Sequence, residues 1–275
     1  MIVRRGKSDL NDSINKTATQ FVQARLGAIA LAAYPGSVPA DLAGAYACQD
    51  TAIDAWPDRI AGWKVARIGP EWQAQYPEER LIGPVFSSNV HLAPPGQTTV
   101  CPIFQGGFAA VEAEIGIYVR ADAPAGKTNW TIAEAAELVA DMHIGVEVAS
   151  SPLATLNDLG AGAVISDFGN NWGVIVGAVI PDWRTPSGEL AIETFINEQS
   201  VGRGTIAIPQ TPLSAFAFAL NKAAQRGRPL RAGEYISTGM ITGVHDIRIG
   251  EHSRLNFGAY GEILCRTVRA HACGK

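Results

Sequence analysis

The sequence predicts an α+β protein, a strand-rich mixed or antiparallel β body behind an N-terminal helical subdomain. Residues 15 to about 56 carry good helix formers on a helical apolar period. From Ile60 onward the texture changes to short β-branched runs separated by Gly and Pro. Strands and helices then fail to alternate regularly, which argues against a doubly wound parallel sheet.

Taken in order, "NKTATQFVQARLGAIALAAY" is the first helical segment, and "YPGSVP" breaks its pattern. "ADLAGAYACQDTAIDAW" resumes it until Trp56-Pro57, where the residue before proline is driven out of helical geometry. Expected strands are "GWKVARI", "GPVFSSNV", "AVEAEIGIYV", "MHIGVEVAS", "NNWGVIVGAVI", "LAIETFIN", "EYISTGMI" and "RLNFGAYGEILCRTV". Two helices interrupt them: "TIAEAAELVADM", capped by Thr131, and "PLSAFAFALNKAAQRG", closed by Gly227. The soft boundary near residue 60 divides a helical subdomain (1–60) from a β-rich domain (61–275).

Apolar residues make up 47% of the chain and charged residues 17%, enough for a sizeable core and too apolar for disorder. A formal charge of −4 gives no electrostatic reason to expect a nucleic-acid partner. The one tight basic cluster, "RGRPLR", marks a helix end and turn. Cys48, Cys101, Cys265 and Cys273 form no CxxC pair, so neither a zinc knuckle nor a disulfide framework is expected, and a reducing compartment is the simplest reading. "MIVRRGKSDLNDSINK" lacks the apolar core of a signal peptide, and no run reaches the roughly 18 apolar residues of a membrane span. The expected location is the cytoplasm.

The stretch "GGFAAVEAEIGIYV" sets Glu112 and Glu114 two apart in an apolar strand, so both carboxylates point to one face, about 7 Å apart along the chain. Glu147, between Val146 and Val148 in another apolar strand, is a candidate third partner. A carboxylate in such surroundings is costly to bury unless paired or coordinated. Three of them suit a hard divalent cation such as Mg²⁺ or Mn²⁺, which prefers oxygen ligands and keeps open positions. A solvated sheet face also carries such glutamates, and the spacing alone leaves both readings open.

"AYACQDTAI", "GWKVARIG", "GPVF", "VEAEIGIYV", "IGVEVASSP", "SDFGNNWGVIVG", "TPLSAFAFALNKAAQRGRPLRAGEYISTG" and "NFGAYGEI" follow one another along residues 18 to 268. In that order the chain resembles the 2-keto-4-pentenoate hydratase and 4-oxalocrotonate decarboxylase branch of the fumarylacetoacetate hydrolase superfamily. The resemblance implies a mixed, rolled sheet, an N-terminal helical part, and a divalent metal, Mg²⁺ or Mn²⁺, on Glu112, Glu114 and Glu147. It also implies a small 2-oxo acid or dienol as substrate and a homo-oligomer built from dimers, with no nucleic acid or membrane partner.

By the same resemblance Lys64 matches the family's "GYKIG" lysine, a group for the substrate carboxylate or for proton transfer, whose pKa burial is expected to lower. Thr238 and Gly239 match the turn that lines the family's pocket. Where the family has an apolar residue, Arg67 either supplies a guanidinium for a substrate carboxylate or lies at the surface. The family's "ADN" triplet is Ser166-Asp167-Phe168 here, which keeps Asp167 as a candidate for proton handling and leaves Asn170 or Asn171 to compensate. Leu81 stands where the hydratases often carry an Asp, and Glu78 and Glu79 fit that place poorly. His143 and His245 lie near the site segments in sequence, but neither is expected to be the catalyst.

The expected reaction is hydration of a 2-hydroxy-2,4-dienoate in aromatic catabolism. The alternatives are decarboxylation of a 2-oxo diacid, C–C hydrolysis of an acylpyruvate, and dehydration of a sugar-derived 2-oxo acid. A non-catalytic partner subunit is the reading from a different class, and retention of all three glutamates argues against it.

Overall fold

The computed structural model describes residues 7–185 and 188–272; the first six residues of the polar N-terminal stretch, and Cys273, fall outside them. Helix α1 (Lys7–Gly27) buries Ala18, Phe21, Val22 and Arg25, positions three and four apart that make one stripe. Helix α2 (Leu42–Ala55) starts where the Asp41 carboxylate accepts the Gly44 N–H at 2.8 Å, and it ends ahead of Trp56-Pro57.

The strands that follow are β1 (Ile60–Arg67), β2 (Arg80–Phe86), β3 (Val90–Leu92), β4 (Thr98–Ile103) and β5 (Phe108–Val119). A short helix α3 (Ile132–Glu137) leads into β6 (Val139–Ser151), and α4 (Ala161–Ser166) precedes β7 (Asn171–Val179). Then come β8 (Glu189–Ile196), β9 (Gln199–Ala207), α5 (Gln210–Gln225), β10 (Tyr235–Ser237), β11 (His245–Asp246), β12 (His252–Asn256) and β13 (Glu262–Arg269).

They form two mixed sheets. The larger runs β2-β1-β10-β5-β6-β7-β3, with β11 added to one end of β5, and the smaller runs β4-β13-β12-β8-β9. One apolar core joins the helices to the sheets, with Ala45, Ala52, Ile115, Ile144 and Phe216 in the same cluster. No described helix is long and apolar enough to cross a membrane.

Three expectations change. The helix opened by Thr131 has its capping box with Glu134 but stops at Glu137, not near Met142. From Val139 onward the chain instead pairs with β5, and that long antiparallel ladder overrides the helical propensity of "ELVADM". The strand expected over 234–241 is only Tyr235–Ser237, because the next residues turn through Gly239 at φ +107°. Strands β4 and β9 were hidden by their breakers. Pro102 is tolerated because β4 is an edge strand, and Gly204 is needed because a Cβ there would overlap the Ile241 carbonyl.

Candidate metal centre

Glu112 on β5 faces Glu147 on β6 directly across the antiparallel ladder, and Glu114 faces Gly145. The pleat therefore puts all three carboxylates on one face, and one oxygen from each lies within 4.8 Å of the others. The face is dry: Glu112 is 6% exposed and Glu114 and Glu147 are sealed. A wet sheet face is thereby ruled out as the reason for the two glutamates.

Glu114 and Glu147 are each held by partners. The Ser237 hydroxyl and the Gly239 N–H both donate to Glu114 Oε2, the latter at 2.9 Å. Asn171 Nδ2 donates to Glu147 Oε1 at 3.0 Å, and Lys64 Nζ lies 2.9 Å from the same oxygen. Lys64 also donates to the Gly169 carbonyl at 3.0 Å. Two buried oxygens, Glu114 Oε1 and Glu147 Oε2, have no partner among the described residues.

The electrostatics follow from three acids sharing one base. Burial, and then Glu147, push the Glu112 carboxyl up to about 8 against the pull of Lys64. Burial, Glu147 and Glu112 hold Glu114 well above the ordinary carboxylate range, despite its bonds from Ser237 and Gly239. For Lys64 burial is the largest influence and works against its charge, but Glu147 and Glu112 outweigh it and raise its pKa. The expectation of a lowered lysine pKa is thus reversed. A divalent cation would take up the two orphan oxygens and cancel the excess negative charge, so the donor set fits a hard metal ion.

The centre opens through Glu112 and Lys64 onto a cavity of about 460 Å³. Ala66, Leu81, Ile206 and Ile241 give it apolar wall, and Thr238 and Gly239 line it, as does Arg67. Thr238 is engaged with the backbone, its hydroxyl donating to the Ile115 carbonyl at 2.7 Å.

Asp167 does not line the cavity. It is fully buried in a two-pronged pair with Arg25, Nε to Oδ1 at 2.5 Å and Nη2 to Oδ2 at 2.9 Å. The candidate for proton handling thus sits away from the cavity, tied to α1. Just after it, Phe168, Gly169 and Asn170 all have left-handed backbone, with φ of 54°, 70° and 64°. Two of these are not glycine, so the turn is strained and must be held by its surroundings. Arg25, lying over the Phe168 ring, and the Asp167 pair hold it. The turn aims Gly169 O at Lys64, sets Asn170 into the cavity wall, and delivers Asn171 to Glu147.

Neither His143 nor His245 reaches the cavity. His143 Nδ1 bonds the Gly177 carbonyl, and His245 bonds Thr242. Glu78 pairs with Lys222 elsewhere. Sequence reasoning missed Ser237, Arg25 and Arg80, which lines the cavity while only 7% exposed. Arg25 left a signal: it is a cation inside an apolar helical stripe. Ser237, next to the expected Thr238-Gly239 turn, left none.

The two mixed sheets with helices at the N-terminal end match the fumarylacetoacetate hydrolase-like fold. Among solved structures the chain is similar to 4-oxalocrotonate decarboxylase from Pseudomonas putida G7 complexed with calcium and acetate. That match has 21% identity and a TM-score of 0.74, over 94% of this chain and 98% of that one. The same enzyme complexed with magnesium and adipate matches at 19% identity and a TM-score of 0.74, over 94% and 98%. Fumarylpyruvate hydrolase from Pseudomonas aeruginosa, in complex with Mn²⁺ and pyruvate, matches at 18% identity and a TM-score of 0.55, over 78% of this chain and 91% of that one. At these identities the likeness is one of fold, the fold of the branch that the sequence resembles. No family model matches the chain, and no curated protein does.

Proposed function

We propose that this protein is a divalent-metal-dependent lyase acting on a 2-oxo acid or its enol, with Mg²⁺ or Mn²⁺ on Glu112, Glu114 and Glu147. The observation that carries this reading is the sealed triad, with its two orphan oxygens, at the floor of the cavity. The bound cation would supply charge stabilisation for an enolate. The solved relatives that contain calcium, magnesium or manganese with a carboxylic acid support the same reading.

The roles of the residues follow from their surroundings. Lys64, kept cationic by Glu147 and Glu112, acts as a donor: it attracts the substrate carboxylate and can pass a proton to carbon. Gly239 fixes Glu114 through its N–H, and Thr238 braces the same turn. Asp167 and Arg25 act through the turn they anchor, so they are positioning residues.

Hydration of a 2-hydroxy-2,4-dienoate is the reaction we favour. Decarboxylation is the second reading, because Leu81 lines the cavity where an acid-base carboxylate is expected for hydration. The test supplies metal-stripped protein with 2-hydroxypenta-2,4-dienoate and follows the dienol absorbance with and without Mn²⁺. Metal-dependent loss of dienol with 4-hydroxy-2-oxopentanoate as product supports hydration. No turnover, together with CO₂ release from 2-oxohex-3-enedioate, selects decarboxylation. No turnover of either substrate sinks the lyase assignment.

A further inference from the structure

Tyr235 projects from β10 onto the sheet face that carries the three glutamates. It lies two residues from Ser237, which stands beside Lys64 on β1 and Gly116 on β5, so the two side chains share the ligand face. Its ring packs with Val85, Val174 and Val176, and Val174 is directly opposite Glu147. The ring is thus part of an apolar layer beneath the carboxylates. A Cβ on Gly116 or on Gly145 would overlap the Tyr235 hydroxyl, and glycine at both positions lets the phenol lie against β5 and β6.

That hydroxyl is sealed from solvent and has no hydrogen-bond partner among the described residues. An unpartnered hydroxyl in an apolar layer is costly to bury, and phenylalanine would fill the same space without that cost. The ladder points to the acceptor it serves. Gly145, whose missing side chain makes room for the hydroxyl, stands directly opposite Glu114. Glu114 Oε1 is itself buried and unpartnered. Glu114 is also the charged group that acts most strongly on the phenol. After burial, it does most to hold the Tyr235 pKa well above the ordinary range, so the phenol keeps its proton and is a donor.

We infer that Tyr235 is a positioning residue of the metal centre, its hydroxyl donating to Glu114 Oε1 across one bridging water. This rests on the reading of the triad as a metal site. A carboxylate offers about four lone-pair sites. The Ser237 hydroxyl and the Gly239 N–H occupy Glu114 Oε2, which leaves Oε1 to face the cation with one lone pair and Tyr235 with the other. Held from both oxygens, the carboxylate is fixed in its orientation before the ion arrives, as supporting hydrogen bonds fix the ligands of metal sites generally.

The test titrates Mn²⁺ into metal-stripped wild type, Tyr235→Phe and Tyr118→Phe, with free ion read by electron paramagnetic resonance. Thermal denaturation of the metal-free proteins verifies that each is folded. Tyr235→Phe should bind Mn²⁺ about 10-fold or more weakly, on the scale of losing a residue that supports a metal ligand. Its metal-free Tm should stay near that of wild type, because the ring that fills the apolar layer is retained. Tyr118, whose ring meets the Tyr235 ring edge-on at 5.1 Å, is the packing control, and Tyr118→Phe should keep the wild-type affinity. Undiminished Mn²⁺ affinity in folded Tyr235→Phe, whatever its Tm, overturns the inference and leaves the functional reading standing. An equal loss in Tyr118→Phe does the same, since it traces the affinity to the aromatic layer and not to the hydroxyl. A Tyr235→Phe protein that fails to fold also overturns it, by making the hydroxyl a structural group. If wild type binds no Mn²⁺, the inference and the functional reading fall together.

Discussion

Lys64 Nζ lies 2.9 Å from Glu147 Oε1 although β1 and β6 are three strand intervals apart in the sheet. A flat sheet would separate those strands by about 14 Å, more than the two side chains span with ease. The sheet must curl inward, and the ion pair is both a consequence of that curl and a tie across it. Lys64→Met removes the tie and leaves a third buried acid without a base. We expect the metal-free variant to lose about 3–5 kcal/mol of stability, as when one partner of a buried pair is deleted. Mn²⁺ should restore part of that loss without restoring turnover. Denaturant titrations with and without the ion check it.

The pH dependence has a fixed sign. In the folded chain Glu112 is raised from the ordinary 4.5 to about 8, so the native state holds a proton that the unfolded state has released. The stability of metal-free protein is fully present below about pH 4.5 as far as this group is concerned, and it falls as pH rises towards 8. A divalent cation, by replacing the proton, should flatten the profile. At about 2–4 °C per kcal/mol for a chain approaching this size, the drop in Tm between pH 5 and pH 8 should be several degrees. Thermal melts in EDTA and in Mn²⁺ across that range measure it. An EDTA profile that stays level or rises would contradict the buried, mutually repelling arrangement.

Arg25 and Asp167 join α1 to the strained turn, and their pair is sealed from solvent. Asp167→Asn should cost about 3–5 kcal/mol of stability, because it leaves the Arg25 charge uncompensated. The folded fraction should still bind Mn²⁺, since Asp167 touches none of the three glutamates. Unfolding curves and Mn²⁺ titration separate these two effects. Loss of metal binding at full stability would contradict the anchoring role.

Gly116 and Gly145 leave room for the Tyr235 side chain, and a Cβ on Gly116 would overlap the Tyr235 hydroxyl. Gly116→Ala should therefore cost about 1–3 kcal/mol, the usual range for overpacking. It should also displace β10, which carries Ser237 to Glu114. A weakened Mn²⁺ affinity alongside lower thermal stability is the expected pairing, read from melts and metal titration.

Much of this was legible in the sequence because it depends on pattern. The period of two in "AVEAEIGIYV" puts Glu112 and Glu114 on one face whatever the rest of the chain does. The cap residue Thr131 starts its helix where expected. What was not legible depends on long-range approach. Glu147 was a candidate partner from its own apolar strand, but its register opposite Glu112 is set only by the fold, as is the approach of Arg25 to Asp167 across 142 residues. Arg80 gave no sign of burial, since "PEER" reads as a solvated turn, and only the fold covers it. The helix over-extended past Glu137 shows the same limit, with a ladder partner deciding between two local propensities.

The most direct measurement of the central claim is Mn²⁺ binding to EDTA-stripped protein, followed by electron paramagnetic resonance. We expect one tight Mn²⁺ per chain in wild type. Glu112→Gln and Glu114→Gln should each weaken it by about 100-fold or more, at or beyond the upper end of what loss of a supporting residue costs a metal site. Absence of binding in wild type, or undiminished binding in the Glu114→Gln protein, would contradict the assignment of this carboxylate cluster as a metal centre.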